Sequence, residues 1–299
     1  MDWNDGKLFL AVARAGQMLA AARVVGVNQA TLSRRMAQLE RSLGASLLIR
    51  HPQGSSLTDE GVELMRSLER IEAEFMRAQS ALSGGGIDVS GTVRIGAPDG
   101  FGTSFLLPEM PALRAAHPKL TVQLVPLGAS LSLSRREADI AVMVGQPETG
   151  RLVGQKLTDY TVSLYGSRAY LAANGTPQRP EDLAAHRLIG YVEDLVVSSS
   201  LDYARLFWPH WQSDLEIATA TGQLQAIRHG AGIGVLHDYL AAGVDELVPV
   251  LPELHVERSY WLVYHESLRG IARVAAIVDF ITTLVRQSRS AFVRRDPQA

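Results

Sequence analysis

The chain has no cysteine among its 299 residues. That excludes disulfides, thiol nucleophiles and zinc fingers of the usual kind, and it fits a reducing compartment. No apolar stretch approaches the roughly 20 residues needed to span a bilayer. The opening MDWNDGKLFLAVARAG places acids where a signal peptide carries bases, and its apolar run is short. The expectation is a cytoplasmic protein with no membrane partner. Enzyme signatures are equally scarce: there is no phosphate-binding P-loop, no HExxH and no GxSxG, and GAGIG (Gly230 to Gly234) lacks the preceding strand of a dinucleotide site. His210, His229, His237 and His265 are scattered without ligand spacing. No catalytic residue, metal site or cofactor is therefore expected.

What is present is an ordinary globular composition, 46% hydrophobic and 20% charged, long enough for two or three domains. The net charge of −2 hides an asymmetry. Residues 1–58 hold seven Lys and Arg against three acids, or +4, and the remainder carries −6. A basic amino terminus on an acidic body suggests that only the first part faces a polyanion.

Leu19 to Leu43, LAAARVVGVNQATLSRRMAQLERSL, reads as two short helices joined by a turn. Leu32, Met36, Leu39 and Leu43 repeat at helical spacing and make one buried stripe. Gln29 with Ser33, and Ala30 with Arg34, are i,i+4 pairs on the opposite face, a compact patch that suits a DNA major groove. Arg34 can donate two hydrogen bonds to guanine, Gln29 can pair with adenine, and Ser33 suits base or phosphate. Gly26-Val27-Asn28 supplies the turn, with Asn28 as N-cap. Residues 3–14 form a supporting amphipathic helix. After Gly44, Ala45 to Ile49 and Ser55 to Leu57 flank a turn-rich RHPQG and make a wing, which sets Arg50 near a phosphate or minor groove.

Thr58 opens a long helix with Asp59 and Glu60 in its first turn, where acids suit the helix dipole. Gly61, Leu64, Leu68, Ile71, Phe75, Ala78 and Leu82 alternate spacings of three and four. Such a heptad seam predicts a two-helix coiled coil between subunits, about 36 Å long. Ser83 and three glycines then mark a domain boundary. Beyond it strands at Thr92–Ala97, Leu120–Pro126, Asp139–Val144, Tyr160–Tyr165, Arg187–Val192, Leu215–Thr219, Ile233–Leu236 and Tyr260–His265 alternate with helices, including Phe105–Ala116 and Ile271–Arg286. The alternation predicts a mainly parallel α/β sheet. The loop Gly96 to Ser104 follows a strand and precedes a helix, so its amides and hydroxyls can face a ligand, an anion in particular. Asp99 in that loop is either an anion-repelling, cation-pairing group or a plain N-cap. Phe207, Trp208 and Trp211 are read as packing, with a place in a cleft left open.

This pattern resembles the LysR-type transcriptional regulators. The resemblance is carried by GQMLAAARVVGVNQATLSRRMAQLERSLGASLLIR (Gly16 to Arg50), LTDEG (Leu57 to Gly61) and the long helix. LRAAHPKLTVQL (Leu113 to Leu124), READIAVMVG (Arg136 to Gly145) and IRHGAGIGVL (Ile227 to Leu236) match more loosely. It implies a winged helix-turn-helix (1–58), a linker helix for dimerisation (59–83), a Gly-rich hinge (84–90) and an α/β two-lobed, periplasmic-binding-protein-like effector domain (91–289). Within that domain lobe I is 91–157 with 268–289, lobe II is 160–265, and 290–299 is a tail.

Carried onto this sequence, the family's base-reading positions are Gln29, Ala30, Ser33 and Arg34, with Thr31, Arg35 and Arg50 as backbone contacts. Its effector cleft falls on Asp99, Gly100, Phe101, Thr103 and Ser104, faced by Ala129 and Ser130. Gln146, Glu193-Asp194 and Thr221-Gly222-Gln223 are further candidates. The implied partners are an inverted-repeat double-stranded DNA operator, a small-molecule effector and RNA polymerase, with a homodimer through 59–82 and a homotetramer through the carboxyl-terminal domains. The effector would favour one lobe arrangement and so change the spacing of the reading heads. Two departures stand out: Gln17 where members have a capping Ser, and His237 where many have Pro. A cytoplasmic solute-binding sensor, or a DNA-binding domain fused to an enzyme, remains the alternative.

Overall fold

The computed structural model describes residues 2–51, 54–82, 89–127, 138–147, 151–193 and 202–294. The expected hinge glycines at 84–86, the loop Gly128 to Ser132 with Ala129 and Ser130, and Asp194 lie outside them. The chain begins with α1 (Trp3–Ala15), α2 (Met18–Val25) and α3 (Gln29–Leu43). Each ends on a glycine in the left-handed region, Gly16, Gly26 and Gly44, where the missing Cβ removes the steric cost of positive φ. Asn28 caps α3 by accepting a 2.7 Å bond from the Thr31 amide, as its position predicts. Gln17 stands at the N-cap of α2 and makes no side-chain cap bond, the weakening its sequence implies. Phe9, Leu10, Val12, Ala21, Leu32, Met36 and Leu39 close one small core.

The wing is the two-stranded pair β1 (Leu48–His51) and β2 (Gly54–Leu57). Ser55 pins it to the α1–α2 turn, its amide donating to Gly16 O at 2.7 Å. Glu40, near the end of α3, accepts from the amides of Leu47 and Leu48 at 2.8 and 3.2 Å, so reading helix and wing move as one piece. Next comes α4 (Asp59–Leu82), started by Thr58 Oγ1 accepting from the Gly61 amide.

Here the heptad expectation needs correction. Gly61 approaches Leu47 so closely that a Cβ would sit 2.2 Å from its carbonyl oxygen. Leu64 packs on the head's own core and Leu68 lies within it, 1% exposed. The first three seam positions are therefore covered within the chain. Exposed apolar surface begins at Ile71 (42%) and Phe75 (50%). Arg14 on α1 reaches Glu72 on α4 at 2.7 Å and fastens this helix to the head.

The body is one eight-stranded sheet. In chain order it comprises β3 (Gly91–Ala97), α5 (Met110–Ala116), β4 (Leu120–Pro126), β5 (Ile140–Val144), β6 (Leu152–Ser167), α6 (Arg168–Asn174), β7 (Leu188–Gly190), α7 (Ala204–Phe207), β8 (Leu215–Glu216), α8 (Ala220–Arg228), β9 (Ile233–His237), α9 (Asp238–Ala241), β10 (Leu247–His265), α10 (Ala272–Gln287) and α11 (Arg289–Phe292). The strand order is β4-β3-β5-β10-β6-β9-β7-β8. The sheet is mixed rather than mainly parallel. β3 lies parallel to β4 and β5, and β7 parallel to β8 and β9, whereas β10 runs antiparallel to β5 and β6, and β6 to β9.

Two long strands cross the whole body and change partners on the way. β6 pairs with β9 only at Val162–Tyr165, and β10 with β5 only at Tyr260–Tyr264. The register between them slips between Val250 and His255. Lobe I thus holds β3, β4 and β5, and lobe II holds β7, β8 and β9. Tyr260 to Tyr264, expected in lobe II, pairs with lobe I instead.

Two further expectations shift. The helix placed at Phe105 to Ala116 is a π-helical turn (Gly100–Leu106), a 3-10 turn (Leu107–Glu109) and then α5. Pro108 and Pro111 have no amide to donate, which breaks a regular ladder. The expected tail from 290 begins as core: Phe292 is fully buried, 4.6 Å from Phe105 and 4.9 Å from Tyr239 between ring centroids.

Candidate nucleic-acid interface and ligand cleft

The expected reading patch is held together on α3. Gln29, Ala30 and Arg34 are exposed, Thr31 and Ser33 half-buried, and Leu32, Met36 and Leu39 buried on the reverse. With the core stripe fixed, 100° per residue turns Gln29, Ala30, Ser33 and Arg34 outward at the start of the helix. Arg50 is exposed on β1, opposite Ser55. His51 Nε2 lies 2.9 Å from Ser56 Oγ on the same wing. Arg35 is placed differently: its Nη1 sits 2.9 Å from Asp5 Oδ1 on α1. One of its donors is therefore held by the head before any phosphate is met.

In the body, Asp99 departs from the reading as a cap of its own turn. It makes no cap bond within its own turn. Its Oδ2 accepts instead from the amide of Thr221 at 2.9 Å and from Thr221 Oγ1 at 2.7 Å. Thr221 lies in the first turn of α8 on lobe II, so a lobe I carboxylate caps a lobe II helix across the cleft. Thr103 Oγ1 donates to the other oxygen at 3.3 Å. Thr103 and Ser104 are exposed beside it, and Gln146 is exposed after β5.

Gly100 and Phe101 are buried. Phe101 is fully covered, its ring 5.1 Å from both Phe105 and Tyr260. A Cβ on Gly100 would stand 2.9 Å from Leu240. Phe101 is packing in the body's core, and Gly100 lies against Leu240, Tyr239 and Ala220 of α9 and α8.

Beside the cleft lies a cavity of about 510 Å³ lined by Tyr191, Glu193, Tyr203, Trp211, Glu216 and Gln223 among others. Of the expected effector residues that are described, Glu193 and Gln223 reach its wall, where Arg205 pairs with Glu193 and with Asp202 at 3.5 Å. Burial, reinforced by the charges of Tyr203 and Asp99, holds the Tyr191 phenol well above its ordinary range. Burial likewise raises Tyr203, whose hydroxyl is 2.6 Å from that of Tyr160.

His237 lies deeper, stacked on Tyr160 with centroids 5.3 Å apart. Burial lowers its pKa to about 4, against the opposing pull of Asp238 and Asp99. It is neutral at neutral pH. Its backbone φ of −64° is one proline shares, so this loop keeps its course without the expected Pro. GAGIG leads into β9 rather than out of a strand, as its sequence context implies.

The sequence singled out neither Tyr191, Tyr203 nor Glu216, which come from separate elements with no common period. Trp211, expected as packing with a place in a cleft left open, is both buried and cavity-lining. Among the described residues no helix is long and apolar enough to cross a membrane.

Known proteins give this arrangement a family. Residues 87–286 match the LysR substrate binding domain, and residues 3–62 match the bacterial regulatory helix-turn-helix protein of the lysR family. An HTH-type transcriptional regulator of Xanthomonas campestris is 30% identical over 69% of this chain, an alignment that takes in 59% of that protein. The solved structure of CrgA, a LysR-type regulator from Neisseria meningitidis, superposes with a TM-score of 0.61. It is 24% identical and the match covers 95% of this chain and 99% of CrgA. Full-length LysG from Corynebacterium glutamicum, solved with bound effector Arg, gives 0.67 at 18% identity, covering 96% of this chain and 99% of LysG. Helix-turn-helix head and two-lobed body together make this chain a member of the LysR family of transcriptional regulators.

Proposed function

We propose that this regulator reads an inverted-repeat DNA site as a homodimer and answers to a small molecule held between its lobes. The observation that carries the reading is the face of α3, where Gln29, Ala30 and Arg34 stand in solvent while the reverse is core. Arg34 donates two bonds to guanine O6 and N7, Gln29 pairs with adenine, Ala30 meets a thymine methyl, and Ser33 takes base or phosphate. Thr31, Arg35 and Arg50 touch the backbone.

Pairing runs through the exposed part of α4 from Ile71 onward, and dimers join through the bodies into a tetramer that meets RNA polymerase on the DNA. The role is non-enzymatic and is carried out in the cytoplasm. Head, linker, hinge and body divide at about 58, 83 and 90. Effector binding is supported by the cavity that Gln223 of α8 lines and by the ligand-bound LysG relative. A ligand that binds one lobe arrangement better shifts the population toward it and changes how the heads are spaced.

The test is recovery of bound genomic DNA followed by mobility shifts on the recovered site. Arg34→Ala is expected to weaken specific binding about 10- to 100-fold per head, with oligomer mass unchanged by light scattering. Undiminished specific binding sinks the assignment.

A further inference from the structure

We propose that the cleft takes an organic cation, an amine or guanidinium, and that Asp99 sets this choice by filling with the chain's own carboxylate the place an anion would bind. The inference rests on the reading of the cleft as an effector site, and goes further by naming the ligand's charge.

The start of α8 is the natural anion position, because amides at a helix N-terminus point outward and carry partial positive charge. Here the donors of Thr221, Gly222 and Gln223 are already engaged. The Thr221 amide and hydroxyl serve Asp99 at 2.9 and 2.7 Å. The Gly222 amide serves Thr219 Oγ1 at 3.2 Å, and the Gln223 amide serves Thr219 O at 3.0 Å. Gln223 Nε2, on the buried side chain that lines the cavity, donates to Ile217 O at 3.0 Å. An anionic ligand would have to displace Asp99, and would meet its charge in doing so.

The cavity walls point the same way. Three carboxylates, Glu193, Asp202 and Glu216, line it among the described residues against one guanidinium, Arg205, which is itself held by Glu193 and Asp202. Arg258 lies 5.9 Å from the Tyr203 ring, and counting it with Asp99 still leaves carboxylates in excess. Tyr191, Tyr203 and Trp211 supply aromatic faces, which attract cations through the ring quadrupole. A cavity of about 510 Å³ suits a small organic ligand.

The experiment titrates the full chain with phenethylamine, phenethylguanidine and the size-matched anion 3-phenylpropionate, reading tryptophan fluorescence and melting temperature. The two cations are expected to bind and the anion not. Glu216→Gln removes one wall charge without touching the lobe-to-lobe bond and is expected to weaken the cations about fivefold. Asp99→Ser is expected to admit 3-phenylpropionate. If the anion binds the wild-type chain as well as the cations do, and Trp211→Phe abolishes the fluorescence change, the charge assignment fails while the effector cleft stands. If neither class gives a saturable signal, both readings fail.

Discussion

The indole of Trp3 lies nearly flat on the ring of Phe75, centroids 5.0 Å apart and planes 15° from parallel. The two residues belong to α1 and α4, so the stack continues the fastening that Arg14 and Glu72 make one turn earlier. A double-mutant cycle of Trp3→Ala and Phe75→Ala is expected to show a coupling of about 0.5–1.5 kcal/mol in urea unfolding of the head. Strict additivity would mean that the stack contributes nothing beyond burial.

The covered and uncovered halves of the seam should separate under mutation. Leu68→Asp places a charge in the head's core and is expected to unfold it, with loss of helical circular dichroism. Ile71→Asp sits where apolar surface is exposed, and should give a folded monomer by light scattering. A dimer that survives Ile71→Asp places the subunit contact elsewhere.

These residues also show what a sequence pattern carries. Asn28, Gly44 and most of the α3 stripe were legible because caps and helical period are local; Leu32, Met36 and Leu39 are buried as expected, whereas Leu43, in the last turn, is 41% exposed. The heptad was legible as periodicity but not as contact, since a 3.5-residue repeat cannot tell the chain's own core from a partner's. The crossing strands β6 and β10 were seen only in part. Lys156 and Asp159 interrupt one, Pro249 and Pro252 the other, and their pairing depends on distant strands. The Asp99–Thr221 bond joins residues 122 apart, beyond any local rule. The sequence left Asp99 open between ligand partner and helix cap, and it proves to cap a helix other than its own.

Arg35 and Asp5 allow a sharper test of the head. Asp5 holds one guanidinium donor of Arg35 at 2.9 Å, which favours its proposed role as a phosphate contact over base reading. Arg35→Ala is expected to weaken operator and random DNA alike and to lower the salt slope by about one. Asp5→Asn should leave that slope intact. A loss confined to operator DNA would make Arg35 a base reader.

His237 makes body stability depend on pH. It is packed among Tyr160, Tyr203 and Tyr239, and burial holds its folded pKa near 4 against an ordinary 6.5. Between those values the unfolded chain binds a proton that the folded chain refuses. Stability therefore falls as pH drops from about 6.5 and levels off for this group below about 4, a total on the order of 3 kcal/mol. Carboxylates held below their ordinary range, such as Asp182 by the Gln178 amide and the Arg179 side chain, add losses of their own at the acid end. The comparison must therefore be with a chain that lacks only this titration. His237→Phe keeps a ring in the aromatic pocket, and its urea midpoint should fall less steeply between pH 6.5 and 4.5, by about one proton's slope. Equal slopes in the two proteins would show that the imidazole charges while folded, and so that the pocket beneath the cleft is open to water.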